Sequence, residues 1–398
     1  MPIKNPHSYN DPAGGTPSTI GSQMNTYYWD RQSLIEMQKE QYFTQMSDTT
    51  KMPKHFGHKI KKYVWIPLLD DRNVNDQGID ASGATIVNGN LYGSSKDVGT
   101  ILDKIPLVGE QGGRVNRVGY TRVEIEGEIA KMGFFDEFTR DSVQFDSEDD
   151  ILRHFRREMM YAANEISESV LQIDLLNAAG VIRFGGIATQ DSEVTGEGDN
   201  VSEVDYNDFM RLAIDLRNNR TPVKTKIITG SRLTDTKVIS DGFPLYVGSE
   251  MLPTLRHMQD PFGNAAFVGV QHYANAGTVM RGEVGTIDQF RIIVVPEMLH
   301  WSGVGATETG ANKGYMATGG KYDVYPLLAV GGGSFTTIGF QSDGKTEKYD
   351  IISKMPSRET ADRNDPYGEL GFTSIKWWYG TLIERSERIG MLKSVARM

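Results

Sequence analysis

The stretch Ser147–Gly180, SEDDILRHFRREMMYAANEISESVLQIDLLNAAG, decides how the rest of the chain is read. Its apolar residues Ile151, Phe155, Met159, Ala162, Ile166, Val170, Ile173 and Leu176 recur at steps of three and four, which places one oily stripe along a helix. Arg153, Arg156, Arg157, Glu158, Glu165, Glu168 and Asp174 occupy the other face. Ser147 with Asp150 three residues on has capping-box spacing, Glu148, Asp149 and Asp150 oppose the positive helix end, and Gly180 supplies a stop. At 1.5 Å per residue the helix would be roughly 45 to 50 Å long, against an average of ~11 residues for globular helices. The apolar steps do not keep a 3.5-residue repeat and no second long helix is apparent, so the rod is expected to cross a sheet and not to enter a coiled coil.

Composition sets the outer bounds. A length of 398 residues allows one large core or two to three smaller ones, and 38% hydrophobic with 24% charged residues is the balance of a folded chain. The 43 glycines and 15 prolines, with Val/Ile/Thr/Tyr runs between turn signals, lean the remainder toward strands and loops. A formal charge of -10 argues against a sequence-independent nucleic-acid binder, which needs a lysine and arginine excess over phosphate. The absence of cysteine excludes a disulfide framework, thiolate catalysis and cysteine metal sites. The opening MPIKNPHSYNDPAGG has no apolar h-region, and no run approaches the ~20 apolar residues of a membrane span; a soluble protein not exported by a signal peptide is expected.

Along the chain, residues 1–25 read as an extended arm, with Tyr27, Tyr28 and Trp29 as anchors onto another surface. Strand-like residues 59–69 and 118–132 form the two arms of one hairpin, in which Lys59, Lys61 and Lys62 are expected to face Glu124, Glu126 and Glu128. The Gly/Asn/Asp/Ser-rich 70–117 between them is far longer than a usual connection and needs a purpose. Further strands are expected at 181–186, 226–229, 290–295, 325–330, 334–340, 349–352 and 372–383, and helices after Asp205 and Ser249. The run Phe290–Val295 is continuously apolar, as in a strand buried on both faces. Residues 303–320 read as a flexible Gly-rich connection, and 358–365 as a loop of mixed charge.

Chemistry is sparse. Gly339–Thr346 has the spacing of a phosphate-cradling P-loop, but a working one needs a helix after it, and residues 347–355 alternate like a strand; a Ser-Asp-Gly-Lys hairpin turn fits better. Asp71, Asn73 and Asn75 imitate a calcium loop, yet Asp76 and Ser82 stand where its glycine and bidentate glutamate belong. His55 and His58 lack zinc-type partners, and no carboxylate pair or nucleophile elbow occurs. No catalytic, cofactor or metal residues are therefore assigned, and a structural role is favoured.

The arm, the hairpin with an outsized loop, the lone long helix and the sheet-rich remainder together resemble the major capsid proteins of tailed bacteriophages, with the α+β Hong Kong 97-type fold. The blocks Gly133–Thr139 (GFFDEFT), Gly282–Glu297 (GEVGTIDQFRIIVVPE), Val324–Gly331 (VYPLLAVG) and Asp365–Trp377 (DPYGELGFTSIKW) resemble the major capsid family of Schitovirus-type podoviruses. That resemblance implies an N-terminal arm over 1–57, an extended loop over 58–132, and a peripheral domain from 133–204 and 330–380 with spine helix 147–180. It also implies an axial domain from 205–329 and 381–398. Its subunit contacts would include Tyr27, Tyr28 and Trp29, and the charged tip Arg358, Glu359, Asp362, Arg363 and Asp365 near a local threefold. The implied function is an icosahedral shell of hexamers and pentamers around double-stranded DNA, without catalysis or cofactor. It would assemble in the host cytoplasm with a separate scaffolding protein, a portal and a decoration protein, and it would not bind membrane. Three other readings stand beside it: a cellular encapsulating compartment of the same fold, an enzyme using Gly339–Thr346, and an extracellular β-rich binding module, against which the long helix counts.

Overall fold

The structure is a computed structural model and describes residues 42–53, 58–65, 122–145, 151–223, 225–228, 236–239, 242–272, 280–342, 345–346, 349–361, 363 and 365–397. A 3₁₀ turn at Thr44–Met46 leads into β1 (Asp48–Pro53), β2 (Lys59–Trp65), β3 (Arg122–Glu128), β4 (Ala130–Thr139), the short helix α1 (Arg140–Phe145) and the long helix α2 (Ile151–Asn177). Next come β5 (Val181–Phe184), α3 (Tyr206–Asn218), β6 (Thr225–Ile228), β7 (Thr236–Ile239), β8 (Phe243–Gly248), α4 (Leu252–His257), β9 (Phe267–Gly269), β10 (Glu283–Ile287) and β11 (Phe290–Val295). The chain continues through β12 (Ala317–Thr318), β13 (Lys321–Tyr322), β14 (Tyr325–Val330), β15 (Phe335–Ser342), β16 (Lys345–Thr346), β17 (Tyr349–Lys354), β18 (Leu370–Tyr379), β19 (Thr381–Ile383) and β20 (Ile389–Ser394).

A seven-stranded mixed sheet in the order β5-β20-β14-β8-β11-β10-β9 carries the main core. Its central strands are buried on both faces, and alternate residues sort cleanly between the two. Leu245, Ile292, Leu327 and Leu392 meet Phe209, Leu212 and Leu216 of α3 on one side. Tyr246, Ile293, Leu328 and Met391 meet Leu171, Leu175, Phe43 and Met46 on the other. Phe290, Ile292, Ile293 and Val295 are buried for this reason, whereas Arg291 interrupts the apolar run and is buried against Glu283. Asp205 caps α3 as expected: its side chain accepts from the Asp208 amide, and the Asp208 carboxylate accepts from the Asp205 amide.

The 27 residues of α2 make a rod of about 40 Å that crosses two sheets in succession. Met159 and Ala163 pack on Ile375 and Trp377 of the three-stranded sheet β17-β18-β4, and Leu171 and Leu175 pack on the seven-stranded one. The buried residues are Met159, Ala163, Leu171, Gln172, Leu175 and Leu176, so Met159 and Leu176 lie where the spacing predicts while the rest of the covered face is rotated from it. Ile166 and Ile173 lie 40% and 45% exposed, because two sheets and not one decide which face is covered. The expected cap at Ser147 lies outside the described residues. Gly180 is not in the left-handed conformation; a Cβ there would sit 2.6 Å from the Ser386 carbonyl oxygen, so its glycine serves a close backbone approach.

The hairpin forms, with Lys59 opposite Glu128, Lys61 opposite Glu126 and Tyr63 opposite Glu124. Pairing changes partner at Ile129: residues 122–128 pair with β2 and residues 130–139 with β18. The Gly-rich 303–320 is not a loose connection. Gly305 donates to the Tyr322 carbonyl, Ala306 donates to the Val194 carbonyl, and Glu197 accepts from the Thr309 amide, so a neighbouring strand and the loop at 194–197 strap it down.

Candidate subunit-contact surfaces

Gly339–Thr346 can be placed first, because it is the motif with the sharpest chemical claim. It lies along β15 and β16, which pair antiparallel through Gln341 with Thr346 and Ser342 with Lys345, and strand β17 follows it. Among the described residues a strand and no helix N-terminus follows it, as a working P-loop would need, and the pairing of β15 with β16 supports the hairpin reading. His55 and the calcium-like 71–82 lie outside the described residues. No cluster of metal-ligating side chains occurs among the described residues.

The described chain is instead built to present surfaces. The hairpin of β2 and β3 is seated by Ile60 and Ile125 against Ile338 and Leu382. Lys62 turns away from the glutamates, contrary to the charge pattern, because strand neighbours point to opposite faces. It reaches Glu384 at 2.5 Å, and the same Glu384 oxygen accepts from the Thr336 hydroxyl. Burial would raise the Glu384 pKa, but hydrogen bonds from Lys62 and Thr336 outweigh it and hold the carboxyl below its ordinary value. On the opposite face Lys59 pairs with Glu126 at 2.7 Å, and Lys61 with Glu124 at 3.4 Å. Farther out, the Arg122 guanidinium lies 4.0 Å over the ring of Tyr63, and Tyr63 and Trp65 are both more than half exposed.

The N-terminal segment is clamped to α2. Glu168 accepts from the amides of Phe43 at 2.5 Å and Thr44 at 3.3 Å, and from the Thr44 hydroxyl at 2.5 Å. Phe43 is thereby held in the core 4.5 Å from the Tyr246 ring, and β1 continues parallel to β15. Tyr27, Tyr28 and Trp29 lie outside the described residues.

Of the charged tip, Arg358, Glu359 and Arg363 are exposed, and Asp362 lies outside the described residues. Asp365 points into its own loop, where its carboxylate accepts from the amides of Leu370 at 2.8 Å and Glu369 at 3.1 Å. The Leu370 amide is the main reason its pKa lies below the ordinary carboxylate value. Gly368 closes the loop at φ 66°, where a Cβ would lie 2.2 Å from the Ser357 carbonyl oxygen.

Sequence reasoning missed three further features. Glu203, beside the C-terminus, accepts from Arg397 at 2.9 and 2.8 Å, from Tyr315 at 2.8 Å and from Thr254 at 3.0 Å. Arg291 and Glu283 form a buried pair at 2.8 Å. Phe262 stands 88% exposed on a tight turn whose signal, Asp260-Pro-Phe-Gly, is legible in the sequence.

A mixed α+β body of this kind, with few helices and extended surface elements, is the fold of phage capsid subunits. It is similar to the capsid of Ralstonia phage GP4 (TM-score 0.57, 11% identity, 98% of this chain and 99% of that one). It is also similar to the capsid of the cyanophage P-SCSP1u (TM-score 0.53, 12% identity, 96% and 99%). The family model described as phage capsid protein matches residues 122–393. The major capsid protein of Pseudomonas phage KPP21 is 55% identical over 393 residues, covering 99% of this chain and 98% of that protein. The chain belongs to the phage capsid protein family and is a phage major capsid protein, a structural component of the virion that assembles from copies of itself. This sets aside the cellular-compartment reading. Among the described residues, no helix is long and apolar enough to cross a membrane.

Proposed function

We propose that this capsid protein has the Hong Kong 97-type fold in its Schitovirus-type form and closes, as hexamers and pentamers, an icosahedral shell around double-stranded DNA. In this reading 1–57 is the arm, 58–132 the extended loop, 133–204 with 330–380 the peripheral domain, and 205–329 with 381–398 the axial domain. The observation that carries it is the β2–β3 hairpin. A two-stranded ribbon is marginal on its own, yet this one is tied to the body by Lys62–Glu384 while Tyr63 and Trp65 stay more than half exposed on its outer face. That suits a loop laid over a neighbouring copy, where many weak heterologous contacts repeat by symmetry.

The tip Arg358, Glu359, Asp362 and Arg363 supplies charges for contacts near a local threefold, with Asp365 shaping the loop that bears them. The net charge of -10 suits packaged DNA that stays mobile against the wall. The same reading expects a separate scaffolding protein, a portal and a decoration protein. No catalytic step is assigned to the subunit. The test is electron microscopy with sedimentation on the protein expressed with and without the scaffolding gene of its phage. Closed shells, or pentamers and hexamers leading to them, are expected; a stable monomer under both conditions would overturn the reading.

A further inference from the structure

Phe262 is held outward by a turn that leaves it little freedom. The Asp260 carboxylate accepts from the Asn264 amide at 2.8 Å, the Phe262 amide at 2.9 Å and the Asn264 side chain at 3.3 Å. The Gly263 amide donates to the Asp260 carbonyl at 3.0 Å, and Gly263 takes φ 80°, which completes the turn. Below it Gln259 bridges Ala265, and the Ala266 amide donates to Met258, whose side chain is buried. A lone exposed apolar side chain needs no explanation, but one carried on a backbone turn held by this many bonds has the turn's ordering cost met before any partner arrives.

The turn precedes β9, one edge of the seven-stranded sheet. At the opposite edge, beside β5, lies a hollow of about 530 Å³ walled by Ile182, Phe184, Ile187 and Ala188. Ile187 is 71% exposed and Ile182 46%. Arg183 and Arg211 stand on its rim with side chains 49% and 66% exposed, while their carboxylate neighbours Asp215 and Asp208 are 22% and 6% exposed, so the cations are what a partner meets. The side of the knob is acidic: Asp260 and the exposed Asp288 both bear on Tyr206.

We infer that Phe262 of one copy inserts into the Ile182–Ile187 hollow of the next copy around the ring, with Asp260 and Asp288 facing Arg183 and Arg211. The inference rests on the shell-forming reading above. Two different patches at opposite edges of one sheet are what a head-to-tail contact requires, and repetition by rotation closes a ring. A buried aromatic anchor with a charged rim is the usual anatomy of such a contact.

The natural chain has no cysteine, which permits a clean test. Full-length protein carrying Phe262→Cys together with Ile187→Cys is assembled with its scaffolding partner, oxidised, and run on a non-reducing gel. A covalent ladder extending past dimers is expected from the pair, and none past dimers from either single variant. Shells of normal appearance without that ladder, or a crosslink from Cys at 262 to a different protein, would overturn the inference and leave the shell reading intact. Failure of the unaltered chain to assemble would instead count against the shell reading. Should the cysteine pair itself block assembly, Phe262→Ala decides: thermal unfolding unchanged with shell yield down about tenfold or more supports the contact, and wild-type yield sinks it.

Discussion

Asp208 shows how one residue can oppose the element it helps to start. In the first turn of α3 a carboxylate is favoured by the helix dipole, and Asp208 also closes the capping box with Asp205. Burial nevertheless pushes its pKa up to about 6. The folded chain therefore keeps a proton that an unfolded aspartate, at ~3.9, has released. Its contribution to stability is fully present below pH ~4 and is lost as the pH rises through about 6. Asp208→Asn should flatten this slope, so melting temperatures of variant and wild type should diverge in favour of the variant from pH 4 to 7. A difference that does not change with pH would refute the assignment. At Glu168 the logic is one of orphaned donors. Glu168→Ala strands the Phe43 and Thr44 amides and should cost about 1 to 3 kcal/mol in denaturant unfolding, with faster proteolysis near residue 42. For the buried pair, Arg291→Ala removes the counter-charge of an enclosed Glu283, whose other oxygen accepts from the Met280 amide at 2.8 Å. A loss of about 3 to 5 kcal/mol is expected there, far above any surface pair.

At the scale of elements, the hairpin separates charges that look alike in sequence. Lys59 and Lys61 form exposed ladder pairs, which solvent and salt screen. Lys62 makes a charge-assisted bond to a carboxylate that also holds β15 through Thr336, so it fixes the angle at which the hairpin leaves the body. Lys61→Ala should leave unfolding nearly unchanged, whereas Glu384→Ala should cost about 1 to 3 kcal/mol and expose the β2–β3 backbone to faster hydrogen exchange. Equal exchange in both variants would remove the latch role. The hairpin itself and its approximate ends were legible, because alternation and opposite charges in 59–65 and 122–128 are local signals. The role of Lys62 was not, since its partner lies more than three hundred residues away in sequence.

For the whole molecule, stability and assembly should separate. Reversing Arg358 and Arg363 to Glu touches exposed side chains, so the subunit should unfold as the wild type does while shell yield falls; unchanged yield would remove the tip from the contact set. The same distinction governs how much could be foreseen. Periodicity, turn residues and caps act over a few residues, and from them the sequence by itself determined the long helix, the strands 290–295 and 325–330, the cap at Asp205 and the hairpin at 339–346. Quoted blocks such as 282–297 and 365–377 carried the family. What only the tertiary structure decided depends on segments distant in the chain meeting. Two sheets rotate the buried face of α2 and leave Ile166 and Ile173 outside, Ser386 rather than a left-handed turn dictates Gly180, and Val194 and Glu197 tie down a glycine-rich strap. Those outcomes follow from packing and from backbone groups finding partners across the fold, which no local pattern encodes.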